Sequence, residues 1–179
     1  MEDLSVLEGI FVRHGCPDFK WIKSRGIAVA SWVRMKCSFG CPSFGKSLSC
    51  PPHVPSIPEC RIFFDEYEDG ALFHFTASVE NPADRFPWSE EINKRLLRVE
   101  KDVFLHGYHK VFVLLVNECR KCTKCGANKA ECPHPESVRP MPESLGVDLF
   151  STARNCGYSV NVLTSEKEKM DRFAILLVR

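Results

Sequence analysis

No run of about 18 apolar residues occurs in the chain, the length a helix needs to cross a lipid bilayer. No membrane span is therefore expected. The opening of a secretory signal peptide is missing as well. The sequence begins Met1-Glu2-Asp3, acidic where such a leader would be basic, and no long apolar run follows. A cytoplasmic location is expected on these grounds, where thiols stay reduced. Charge of one sign is also lacking. The formal net charge is +1, so composition gives no reason to expect nucleic acid as a partner. The segment Gly45-Lys46-Ser47 lacks the glycine-x4 lead of a phosphate-cradling loop, since Cys41-Pro42-Ser43-Phe44 precedes it, and nucleotide binding is not expected there. No Ser–His–Asp or paired-carboxylate arrangement can be argued from spacing, because such partners come from distant segments. Cysteine itself is absent between Cys60 and Cys119.

That last gap matters because cysteine is otherwise abundant: ten in 179 residues, four of them followed directly by proline. One group reads Cys37-x3-Cys41-Pro-x7-Cys50-Pro. The other reads Cys119-x2-Cys122-x2-Cys125-x6-Cys132-Pro. An even count suits a disulfide framework, but that framework belongs to short secreted chains, and the compartment signs point the other way. Clusters at this spacing are how a chain builds a thiolate cage for a metal centre.

The second group carries the sharper signal. Two residues between cysteines let consecutive thiolates converge without an intervening helix or strand, and C-x2-C-x2-C is the iron–sulfur run of bacterial ferredoxins. Zinc sites more often use two separated pairs. Cys119, Cys122 and Cys125 are expected to hold three corners of a [4Fe-4S] cluster, with Cys132 as the fourth ligand. The ferredoxin run has three residues before its last Cys-Pro; here there are six. Nearby Arg120, Lys121, Lys124 and Lys129 would partly neutralise an anionic thiolate centre or dock an acidic partner.

In the first group Cys37, Cys41 and Cys50 leave one corner to fill. Cys60 is the candidate fourth ligand, with His53 and Cys16 as alternatives, and an iron left open there would bind a substrate thiol, sulfide or carboxylate as a Lewis acid. Cys16, Cys60 and Cys156 also read as small core hydrophobes. His134 is a candidate second donor beside Cys132. Arg139 is expected to pair with Glu143 or to bind a substrate carboxylate.

The expected scaffold is α/β: a small mixed sheet with a βαβ unit and helices, forming a single domain over 1–179. Its cysteine-rich loops, at about 37–58 and 119–142, are expected to cluster near one sheet edge. Leu4, Leu7, Ile10 and Phe11 give a first helix stopped by Gly15. Ile27 to Met35 is β-prone and predicts the first strand. Pro58 to Glu68 predicts a helix with Ile62, Phe63 and Tyr67 on its apolar face, and Ala71 to Ala77 a strand. Ser89 to about Leu105 predicts a long helix with the face Ile92, Leu96, Val99 and Val103. Lys110 to Val116 has no polar alternation and predicts a central strand, parallel to the one before the helix. It would deliver Cys119 at its carboxyl end. A helix over Glu143 to Asn155 and strands at Ser159 to Leu163 and Asp171 to Val178 complete the expectation, the last two joined by a turn from Thr164 to Met170.

The segments V-R-M-K-C-S-F-G-C-P-S-F-G-K-S-L-S-C-P-P-H and P-E-C-R, then D-E-Y, together with C-R-K-C-T-K-C and C-P-H-P-E-S-V-R-P-M-P-E-S-L-G-V-D, resemble a family of predicted metal-binding proteins (domain of unknown function 2284). The family is common in anaerobic archaea and bacteria. The resemblance runs from about Phe19 to Val162. It implies two cysteine-rich metal or iron–sulfur sites at Cys37, Cys41, Cys50, Cys119, Cys122, Cys125 and Cys132, and no settled activity. Pro142 departs from it, standing where a small residue such as serine is expected before Glu143. The expected function is an iron–sulfur protein with one or two [4Fe-4S] clusters that transfers electrons to a redox or enzyme protein partner. The alternatives are an enzyme or accessory protein using an open iron in the first group, and a zinc-binding interaction module.

Overall fold

Side-chain alternation along the strands sets the layers of this molecule, a computed structural model that describes residues 4–165 and 168–179. In β2 (Asp69–Ala77) and β4 (Met170–Leu177), neighbouring residues point to opposite faces. Ala71, Phe73, Ala174 and Leu176 join one core cluster; Leu72, Phe173, Ile175 and Leu177 join a second. On the first face lie α1 (Ser5–Arg13) and α4 (Arg85–Leu105), which contribute Leu7, Ile10, Phe11, Leu96, Val99 and Val103. On the second lie α3 (Ile57–Asp65) and α5 (Leu149–Asn155), through Cys60, Phe64 and Ala153. The result is a mixed α/β fold, a small sheet with helices interspersed along the chain.

The sheet order is β1-β2-β4-β3, with β1 at Phe19–Lys23 and β3 at Phe112–Leu114, and every neighbouring pair is antiparallel. The expected βαβ unit is thereby corrected. β2 and β3 do run in the same direction, because both are antiparallel to β4, but β4 lies between them. The run Lys110 to Val116, expected at the centre, supplies only a three-residue edge strand. It is apolar because its edge is covered. Val113 N–H donates to the Glu100 carboxylate at 2.9 Å, Leu115 N–H to the Pro140 carbonyl at 3.0 Å, and Val116 N–H to Asn93 Oδ1 at 3.1 Å.

Three further expectations change. Ile27 to Met35 is not a strand: Ser31–Gly40 forms α2. Its start is fastened by Ala30 N–H to the Gly146 carbonyl at 2.8 Å and by Arg34 to the Ser144 carbonyl at 3.0 Å, so tertiary contacts override β-propensity. The helix expected over Glu143 to Asn155 is broken into a short 3-10 turn, Pro142–Leu145, and α5. Gly146 divides them at φ 81°, where an L side chain is strained, and Asp148 then caps α5 by accepting from Ser151 N–H at 3.1 Å. Residues 159–163 pair with no strand. The buried face of α3 is Ile57, Cys60 and Phe64, while Ile62 faces solvent. β1 was not foreseen. The first helix, the strand over Ala71 to Ala77 and the α4 face stand where periodicity placed them. Met1-Glu2-Asp3 and part of the turn from Thr164 to Met170 lie outside the described residues. Among the described residues, no helix is long and apolar enough to cross a membrane.

At Gly70 the two central strands approach too closely for a side chain. A Cβ there would stand 2.7 Å from the Leu176 carbonyl oxygen, a backbone atom that cannot turn aside. Gly70→Ala is therefore expected to destabilise the fold by about 1–3 kcal/mol, read as a lower denaturant midpoint at unchanged slope. A midpoint equal to wild type would show that β2 and β4 separate freely.

Candidate ligand cleft and cysteine loops

A cleft of about 1040 Å³ opens between α2, the segment 141–150, the extended residues 160–163 and the start of β4. Its walls are apolar: Trp32, Met35, Phe39, Phe150, Val162 and Leu163 line it. All six leave substantial area exposed, and Phe39 is 82% exposed. Large apolar side chains gathered in this way on one concavity are the usual mark of a binding surface.

Its polar groups are Lys36, Asn117, Asp148 and Asn161 beside Glu143, Asp171 and Arg172. Glu143 lies in the 3-10 turn before Gly146 and faces the cleft. Burial pushes its carboxyl up to about 7; its own backbone N–H and the Arg172 guanidinium pull the other way, and Glu118 adds to the rise. Arg172 enters from β4. Burial pulls its guanidinium down from its ordinary value, while the Glu143 carboxyl opposes that. Among the described residues Arg172 makes one hydrogen bond, from Nη1 to the Asp171 carbonyl at 3.1 Å. Among the described residues the remaining donors of the fork have no partner.

Asp171, also on the cleft wall, is held from behind. Its Oδ1 lies 2.7 Å from His74 Nε2, and His74 Nδ1 lies 2.6 Å from Asp18 Oδ2. Tyr158 donates to the other Asp18 oxygen at 2.8 Å, and the His74 ring stacks on Phe173 at 4.8 Å. This network fixes the start of β4, from which Arg172 approaches the cleft.

Among the described residues the cysteines of the first group form no metal-holding cluster, although Cys41 adds to the burial-driven rise of both the Cys37 and the Cys50 thiol. Cys37, on α2, and Cys41, its C-cap, line the cleft. Burial raises the Cys37 thiol above its ordinary value, and Cys41 adds to the rise. Cys50 is buried away from that wall, where Ser144 Oγ donates to its sulfur at 3.7 Å. Cys60 faces the second core cluster and donates to the Pro55 carbonyl at 3.5 Å. Cys16 is wholly buried beneath α1, where burial pushes its thiol up to about 11. Cys156 packs against the second cluster. These three act as core side chains.

The second group does converge. Cys119, Cys122, Cys125 and Cys132 all line one cavity of about 60 Å³. Ser47, Leu48, Ser49 and His134 share its wall. Cys119 N–H donates to Ser49 Oγ at 3.4 Å, which ties the second loop to the first. Burial raises the Cys119 thiol and Lys121 opposes that rise, while Arg120 and Lys121 also hold partners outside the cavity. Arg120 stacks on the Phe86 ring at 3.8 Å and pairs with Glu118 at 3.7 Å, and Lys121 reaches Glu90 at 3.9 Å. Arg139 pairs with Glu100, not with Glu143.

Residues 20–178 match the family described as predicted metal-binding protein (DUF2284), and the chain belongs to that family. No curated protein and no solved structure matches the chain.

The family description and the cysteine spacing both imply a metal, and the side chains do not fit one. Among the described residues, no group of three or more His, Cys, Asp or Glu side chains could hold a metal ion. The expectation of one or two [4Fe-4S] clusters, with zinc as the alternative, is corrected on that ground. So are the three functions built on it: electron transfer, an open iron in the first group, and a zinc interaction module. The physical reasons differ between groups. In the first, α2 and α3 carry Cys37 and Cys60 to different environments, and Cys50 is taken up by Ser144. In the second, hydroxyl and apolar side chains share the cavity wall with the thiols.

Spacing did not point to Glu143 and Arg172 as a pair. In the sequence Glu143 stands out only as a partner for Arg139, and Arg172 only as part of a strand. One signal was available: Asp171-Arg172 interrupts the start of an otherwise apolar strand, M-D-R-F-A-I-L-L.

Proposed function

We propose that this protein binds a small organic acid in the α2–β4 cleft, with Arg172 pairing with the anionic group and Glu143 exchanging a proton with the ligand. One observation carries the reading: a desolvated carboxyl and a guanidinium whose donors are largely uncommitted among the described residues face the same cleft. A volume of about 1040 Å³ suits a ligand of drug-like size or somewhat larger, whose apolar body would cover Trp32, Met35 and Phe39. A carboxyl titrating at about 7 is half protonated near neutral pH, which suits it to give or take a proton. Asp171, fixed by His74, positions Arg172. Cys37 and Cys41 stand on the wall as thiols and are not assigned a chemical step. The whole is read as one domain. Its two cysteine loops meet beside edge strand β3, where Phe112, Leu48 and Cys132 share a second apolar cavity of about 440 Å³.

The test is a panel of aliphatic and aromatic carboxylic acids set against their amides, followed by chemical-shift changes and thermal shift. Acids are expected to bind and to perturb residues of α2 and β4. Arg172→Met is expected to weaken them about tenfold or more, since a charge-assisted hydrogen bond is worth about 1.5–3 kcal/mol. Equal binding of acids and amides, or an Arg172→Met variant with unchanged affinity, would remove the assignment.

A further inference from the structure

We infer that the four cysteines of the second loop form a thiol modification site, which an oxidised low-molecular-weight disulfide converts to an internal disulfide joining Cys119 to Cys125 or Cys132. The inference is independent of the ligand cleft. It rests first on proximity. All four cysteines line one small cavity of about 60 Å³. None of the four takes part in a disulfide as the chain stands.

The second support is a compliant backbone. Between β3 and α5 the described chain contains only three short 3-10 turns, at Lys129–Glu131, Pro135–Ser137 and Pro142–Leu145. A loop of this kind can adjust to the 4.4–6.8 Å Cα separation that a disulfide requires, whereas a cysteine in a strand or helix core cannot. The third is access. All four are partly exposed, unlike Cys16 and Cys60, which are 0% and 1% exposed.

The exchange balances without any other reagent. A thiolate of the loop attacks one sulfur of the external disulfide; the external S–S bond breaks and one small thiol leaves with a proton. A second loop thiolate attacks the protein sulfur of the mixed disulfide. The new S–S bond forms and the second small thiol leaves with the other proton. Two protein thiols are oxidised, and one external disulfide is reduced to two thiols.

The sequence makes the product easy to read. Arg120, Lys121, Lys124 and Lys129 separate the four cysteines, so trypsin places each on a different peptide. The full chain, fully reduced, is equilibrated with oxidised glutathione, alkylated and digested, and the linked peptides are identified by mass spectrometry. The Cys119 peptide is expected to be joined to that of Cys125 or Cys132, with Cys16 and Cys60 alkylated only after unfolding. Cys119→Ser is expected to abolish that linkage and to leave glutathione on a remaining loop cysteine. Ten free thiols at a glutathione ratio that oxidises a reference dithiol would overturn the inference. So would disulfides spread indifferently over the ten cysteines.

Discussion

Arg139→Ala is expected to lower the unfolding free energy by about 2–3 kcal/mol, less than the cost of stripping one partner from a fully buried ion pair because the Arg139 side chain is 24% exposed. Glu100 sits on α4 with its side chain only 10% exposed. Its carboxylate takes the Arg139 fork at both oxygens, Nε at 3.1 Å and Nη2 at 3.0 Å. It also accepts from Val113 N–H at 2.9 Å, the free edge of β3. Without Arg139 a buried carboxylate keeps a single backbone donor. Without Glu100 the β3 edge loses its cover and the guanidinium loses its counter-charge. Arg139 also donates to the Glu136 and Val138 carbonyls, so the same substitution loosens the end of the second cysteine loop. Denaturant unfolding of Arg139→Ala, Glu100→Gln and the double variant measures the coupling. The double variant is expected to lose less than the sum of the singles. Additive losses of a few tenths of a kcal/mol would mean that the pair behaves as an exposed one.

Glu143→Gln is expected to stabilise the ligand-free chain at pH 8, by up to about 3 kcal/mol, and to change little at pH 4. The sign follows from a folded carboxyl raised from 4.5 to about 7, chiefly by burial. Below 4.5 the group is protonated in both folded and unfolded chains and carries no penalty. Between 4.5 and about 7 the unfolded chain releases the proton while the folded chain keeps it, so stability falls as pH rises through that window. Above about 7 both are ionised and the loss is constant. The measurement is thermal or denaturant stability against pH for both proteins. Wild type is expected to lose stability relative to Glu143→Gln across that window. Parallel curves would show a carboxyl that titrates normally and would withdraw its proton-exchange role. A bound acid adds a second effect: its anionic group should hold Glu143 protonated still higher, so its affinity should fall as the pH rises past 7.

Much of the frame could be read from periodicity. Leu7, Ile10 and Phe11 on α1, and Ile92, Leu96, Val99 and Val103 on α4, pointed to the core by spacing alone, and all are buried. Helical spacing reports which face is apolar whatever that face later meets. The error at Ile27 to Met35 has the opposite cause. Local β-propensity there is genuine, but Gly146 and Ser144 supply hydrogen bonds to the start of α2 from more than a hundred residues away. The edge position of β3 was hidden for a related reason. Glu100, Asn93 and Pro140 satisfy its free N–H groups, so its sequence could stay as apolar as a central strand.

The cysteines divide along the same line. Spacing alone marked Cys119, Cys122, Cys125 and Cys132 as one local group, because two or six intervening residues cannot carry a thiol far. They do surround one cavity. Whether those thiols could close on a metal was a question of angles and neighbours, and spacing does not encode these. Cys37, Cys41, Cys50 and Cys60 lie on or between helices whose directions are set by packing, and packing sent them to a cleft wall, a serine hydroxyl and a core. The cleft is the extreme case. Glu143 and Arg172 stand on separate elements and become neighbours only when β4 enters the sheet between β2 and β3. By itself the sequence determined which residues are apolar on one face and which thiols lie close along the chain, because both are properties of short range. Only the tertiary structure decided strand order, the surroundings of Glu143 and the partner of each charge, because these depend on contacts between segments far apart in the chain.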